Sequence, residues 1–191
     1  MKRIVLLVLL ALACVRSVPA VRYQGFLESY FGAFIPSNFY HSGPAAGFAT
    51  SHGIEICPGL FVGLGGDLLF CSYSDSYRNL EKEVNSLIQF NTFLEGRYCI
   101  FPSKKATPYV DLRLGISFGR FEYSDKKEFP YLSPGVGYSF NLSRKYGFDL
   151  GVGYAYYGNA KISKHYASQF YPHKYFKVAN NSLHLRVGFH F

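Results

Sequence analysis

Nine ionisable residues recur on the polar side of alternating segments: Glu28, Glu55, Asp67, Glu95, Arg97, Asp111, Arg113, Asp149 and Arg186. Carboxylates and guanidinium groups held close together can do two kinds of work. They can neutralise one another as a buried plug, or they can line an ion path and act as acid and base. The spacing favours the plug. Around the Pro102–Thr107 turn, antiparallel partners whose numbers sum to about 208 place Arg97 opposite Asp111 and Glu95 opposite Arg113. Two opposite-sign pairs at one level keep buried charge neutral. Glu28 and Arg186 would close the first strand against the last in the same way.

A second group lies in the segment Gly158–Ala179, which holds Lys161, Lys164, His165, His173, Lys174 and Lys177 without a single acid. Tyr166, Phe170, Tyr171, Tyr175 and Phe176 are interleaved with them. Lysines beside aromatic rings can contact lipid phosphates, acidic glycans or a partner. The plainer reading is a solvated loop whose rings mark a membrane interface. His165-Tyr166-Ala167-Ser168 supplies a serine and a histidine, but no carboxylate accompanies them to orient the base. Two histidines are too few for a metal centre, and the cysteines show no C-x-x-C spacing. No metal and no cofactor are expected.

The elements that must position these groups are strands. The chain has 191 residues, of which 49% are apolar and only 17% charged; Phe 19, Tyr 17 and Gly 19 are abundant, Met 1 and Trp 0 scarce. That composition disfavours helix and excludes disorder. Period-two alternation is the half-buried strand signal. It is cleanest at the end, where Leu183, Leu185, Val187, Phe189 and Phe191 oppose Ser182, His184, Arg186, Gly188 and His190. The same split recurs at 110–119, 135–142 and 147–156, and with more noise at 47–56, 60–68 and 88–97. The first strand, near Arg22–Phe34, alternates poorly.

Short connections at Pro58-Gly59, Pro102–Thr107 and Ser143–Tyr146 succeed longer ones at Ile35–Ala45, Ser72–Val84, Glu122–Tyr131 and Gly158–Ala179. Strict succession of this kind means neighbouring antiparallel strands with all tight turns at one end. The expectation is an all-β, eight-stranded antiparallel up-and-down barrel over residues 21–191, which removes exposed edges.

Residues 1–20 read as a secretory signal: Lys2 and Arg3, the apolar run Ile4–Ala13, then Val18-Pro19-Ala20. Cleavage after Ala20 removes Lys2, Arg3 and Arg16, lowering the net charge from +8 to +5. So mild a charge does not indicate nucleic-acid binding. Cys14 loosely fits a lipoprotein processing site, with a plain signal-peptide cysteine as the alternative. Cys57, Cys71 and Cys99 remain, an odd number that completes no disulfide framework and fits small apolar fillers.

An eight-stranded barrel is either a soluble carrier with its apolar face inward or a membrane barrel with that face outward. Here the polar face is mostly Gly and Ser, which suit a crowded lumen better than a solvated surface. The opposite face is almost free of charge and ends in aromatics, the girdle residues of membrane interfaces. A signal, eight such strands and the terminus Leu185-Arg186-Val187-Gly188-Phe189-His190-Phe191 resemble the small outer-membrane barrels, the group of OmpX and the OmpA transmembrane domain. That resemblance implies a bacterial outer-membrane location, contact with outer-membrane lipid, and Phe191 as the signal read by the barrel-assembly machinery. It says almost nothing about activity. The expectation is a monomeric, non-enzymatic barrel with a structural or loop-binding role and an unidentified extracellular ligand. The alternatives are a narrow porin-like channel, a lipocalin-like soluble carrier, and a lipid A-modifying enzyme.

Overall fold

The computed structural model describes residues 22–36, 40–41, 43–75, 84–119, 128–143, 146–162 and 176–191. The strands are β1 (Arg22–Pro36), β2 (Tyr40–His41), β3 (Gly43–Cys57), β4 (Leu60–Asp75), β5 (Val84–Cys99), β6 (Ala106–Gly119), β7 (Glu128–Asn141), β8 (Gly147–Ile162) and β9 (Phe176–His190). The two-residue β2 pairs with the outer end of β4 and extends β3, so eight strands form the wall. Every pairing is antiparallel between chain neighbours, and β1 pairs with β9 to close the barrel. Residues 1–20, including the expected signal and Cys14, lie outside the described part.

Side-chain direction follows the alternation. Leu183, Leu185 and Val187 are more than half exposed on the outer face, whereas Ser182, His184 and Arg186 are buried in the lumen. Val110, Leu112, Leu114 and Ile116 are likewise exposed on the outer face, with Asp111, Arg113 and Ser117 buried in the lumen. A soluble carrier would have these faces reversed. Rings gather toward the turn end of the outer face: Phe140 stacks on Phe148 at 4.6 Å, and Tyr146 on Phe189 at 6.1 Å.

β1 alternates poorly in hydropathy because its inward residues include Phe26, Tyr30 and Phe34, all buried. The geometry alternates; the polarity does not. At the loop end the strands run further than the pattern suggests. β4 reaches Asp75, β7 starts at Glu128, β8 reaches Ile162 and β9 starts at Phe176. These strands have 14 to 16 residues, beyond the ~10 that cross a bilayer. Past the apolar belt neither face is obliged to be greasy, so the period-two signal fades before the ladder does.

One seam is less regular. β7 carries Pro130 and Pro134, which lack the donor a ladder uses. Its pairing with β8 ends at Leu132↔Tyr156 and omits Pro134. β8 shifts register between Tyr156 and Asn159, where Gly158 adopts a φ of 70°. A Cβ there would lie 2.8 Å from the Pro130 ring, so the chain needs glycine for both conformation and space.

Candidate functional site: a charged layer inside the barrel

The register puts Glu95 opposite Arg113 and Arg97 opposite Asp111, as the sequence spacing anticipates. Strands bring their inward residues to the axis of a narrow barrel, so partners also come from across the lumen. Arg97, 1% exposed, is the hub. Its Nη2 donates to Glu28 and, at 2.8 Å, to Glu95 Oε1; its Nη1 reaches Asp149 Oδ2 at 3.2 Å. The guanidinium lies 3.9 Å over the Phe26 ring and 4.7 Å from the Tyr109 ring, which cover its flat faces.

Arg113 donates to the other Glu28 oxygen, and its Nε lies 3.5 Å from Glu95 Oε2. Glu28 therefore bridges two guanidinium groups from the opposite wall. Arg186 completes the layer: Nη1 donates to Asp111 Oδ2 at 2.6 Å, Nη2 to Ser133 Oγ at 2.7 Å, and Nε to His184 Nε2 at 3.0 Å. Glycines make room for it, since a Cβ on Gly135 or Gly153 would sit 2.7 Å or less from its guanidinium. His190 lies 3.3 Å from Asp149 Oδ2.

Three placements differ from the sequence reading. Arg186 pairs with Asp111 and Glu28 with Arg97 and Arg113, rather than with each other. The tilt of the strands carries Arg186 to the far wall; its direct neighbour on β1 is Tyr30. Glu55 is half-buried at the rim, where it accepts from the Gly59 N–H at 2.7 Å, and it joins no ion pair among the described residues. Asp67 is buried but lies outside the ion pairs, hydrogen-bonded to Asn91 and, at 3.1 Å, to the Tyr131 hydroxyl. Ser133, His184, His190 and Tyr131 join the lumen chemistry although their residue types alone do not single them out. Tyr131 lies in a segment the sequence reading makes a loop.

Toward the loop end the lumen turns apolar. Tyr30, Phe34, Leu69, Cys71, Phe93, Tyr131 and Tyr157 form one buried cluster with Ala45, Ala49 and Ala155. Tyr131 stacks on Tyr157 at 5.5 Å and meets Phe93 at 5.9 Å. At the turn end the mouth opens into a cavity of about 500 Å³ that Arg22, Glu55, Lys104 and Lys105 help to line, together with Phe26, Phe61 and Arg97.

Of the lysine-rich group, Lys161 and Lys177 fall on strands rather than in a loop and are paired in register across β8 and β9. Lys164, His165, His173 and Lys174 lie outside the described residues. Cys57 and Cys99 are free thiols, and Cys71 is buried in the lumen cluster. Phe191 ties the closing seam, its N–H donating to Gly25 O at 3.0 Å while its O accepts from Gly25 N at 2.7 Å.

The buried pair Ser182 and His184, with Oγ and Nδ1 3.4 Å apart, has the residue types of a nucleophile and its base. The hydrogen bonds give it another role. Nε2 accepts from Arg186, so a neutral His184 carries its proton on Nδ1 and has no lone pair to receive the serine's.

No protein-family model matches the chain, and no curated protein matches it in sequence. Solved structures do. The outer membrane protein OprG from Pseudomonas aeruginosa has a TM-score of 0.57 at 12% identity, over 88% of this chain and 94% of that one. Neisserial surface protein A has a TM-score of 0.54 at 14% identity, over 89% and 98%. The shared property is the fold. This chain has the eight-stranded antiparallel barrel fold that these two proteins have, the fold that its resemblance to the small outer-membrane barrels implies.

Proposed function

We propose that the protein is an integral outer-membrane barrel with a plugged lumen and a structural or loop-mediated binding role. The observation that carries the plug is the joint closure of the lumen. Phe26 and Arg97 sit at the floor of the turn-end cavity, and the ion-pair layer is followed by the aromatic cluster. An eight-stranded barrel encloses little more than its own side chains. The exposed apolar outer face supports membrane insertion, because such a belt in water would aggregate.

Planar-bilayer recording tests the plug. No steady conductance is expected; a reproducible single-channel step overturns it and favours the narrow porin. Heat-modifiable gel migration and recovery in the outer-membrane fraction test the location.

The loop end supports the binding role. Lys161 and Lys177 are register partners on β8 and β9. With Lys164 and Lys174 they suit an anionic ligand. Changing all four lysines to Gln should abolish retention on an anionic polysaccharide column, and unchanged retention removes that site.

A further inference from the structure

Beside the aromatic cluster, on the loop side of Phe93, lies a polar group that the ion-pair layer does not use. Asp67 on β4, Asn91 on β5 and Ser117 on β6 are direct neighbours across two ladders, with Gln89 two residues along the same face of β5. All four are buried in the lumen, and Gln89, Asn91 and Ser117 are 0% exposed. Asn91 Nδ2 donates to Asp67, yet Asn91 Oδ1, Ser117 Oγ and both amide atoms of Gln89 have no hydrogen-bond partner. Buried polar atoms of this kind are normally satisfied, by protein or by something bound.

The charge count points the same way. Among the described residues the lumen buries the carboxylates of Glu28, Asp67, Glu95, Asp111 and Asp149, but the guanidinium groups of only Arg97, Arg113 and Arg186. Ion pairs reach every one of these acids except Asp67. His190 faces Asp149, and His184 already accepts from Arg186, so neither is placed to balance Asp67. The Tyr131 hydroxyl offers a hydrogen bond without a charge. A buried carboxylate lacking a counter-charge is costly, and either a proton or a bound cation removes that cost; the unpartnered oxygens of Asn91, Gln89 and Ser117 beside it suit the cation.

We propose that Asp67, Asn91, Gln89 and Ser117 form a binding site for an alkali-metal cation inside the barrel. The donors are all hard oxygens: one carboxylate, two amide carbonyls and one hydroxyl. Such a set suits an oxygen-seeking cation, and its single negative charge matches a monovalent ion better than calcium, which draws on several carboxylates. The Gln89 amide nitrogen is left to donate to a water completing the ion's shell. Lying beside the aromatic cluster, the ion is held as part of the packing.

The full barrel, refolded in zwitterionic micelles, provides the test. Sodium NMR line width and unfolding temperature are measured in sodium, potassium and choline chloride at equal ionic strength. The site requires sodium line broadening that potassium competes away, and a higher unfolding temperature in either alkali salt than in choline. Asp67→Asn should abolish both effects, and Ser117→Ala should weaken apparent affinity several-fold, which keeps the test open should the first variant not fold. Identical unfolding temperatures in all three salts with an unbroadened sodium line overturn the proposal and leave an ordered-water site. Broadening that survives Asp67→Asn also overturns it.

Discussion

The two halves of the lumen fill the same narrow bore with different chemistry. Toward the turns, Arg97, Arg113 and Arg186 interlock with Glu28, Glu95, Asp111 and Asp149. Toward the loops, Tyr30, Phe34, Phe93, Tyr131 and Tyr157 pack as rings. The charged half depends on register, because a one-residue slip turns every charge outward into the apolar belt. The aromatic half depends on volume, because packing is non-directional and its cost scales with the cavity left behind. The charged layer thus specifies which barrel forms, and the rings determine how well it is filled.

Breaking the charged half should cost most. Arg97→Met removes the hub and leaves Glu28, Glu95 and Asp149 without their shared partner, so urea unfolding in micelles should show a loss of about 4 kcal/mol. A loss below about 1 kcal/mol would mean that the carboxylates are not held by this residue. Phe34→Ala in the other half should lose about 3 kcal/mol by the same measurement, the ordinary cost of a ring-sized cavity. The two changes lie in different layers, so the double variant should show near-additive losses; strong coupling would merge the halves into one unit.

Smaller substitutions sharpen the boundary. Gly135→Ala places a Cβ 2.4 Å from Asp111 Oδ1 and 2.7 Å from Arg186 Nη1, and should cost roughly 2 kcal/mol through displaced charge pairs. Gly66→Ala, whose Cβ would meet nothing nearer than 3.4 Å, is the matched control and should stay within about 0.5 kcal/mol. The smallest effect belongs to Glu55→Gln. Its carbonyl still accepts from Gly59, so a shift under about 0.5 kcal/mol in urea midpoint measurements is expected if it stands apart from the ion layer.

Much of this arrangement is legible along the chain. The Arg97–Asp111 and Glu95–Arg113 levels follow from one tight turn, because a short hairpin leaves no freedom of register. Inward and outward faces follow wherever Gly, Ser or charge alternates with apolar residues. The signal fails where both faces are apolar, as in β1 with Phe26, Tyr30 and Phe34 inside. It fails again beyond the apolar belt, where Tyr131 and Lys161 read as loop although they lie on strands.

Ordering of the strands, their faces and the sign of the buried charges were therefore set by sequence alone, since each depends on near neighbours in the chain. The partner of each charge was decided only in three dimensions. Closing the sheet through β1 and β9 and tilting its strands brings Arg186 to Asp111 and Glu28 to Arg97, contacts between residues separated by 75 and 69 positions. Local periodicity says which way a side chain points; only the closed barrel says what it meets there.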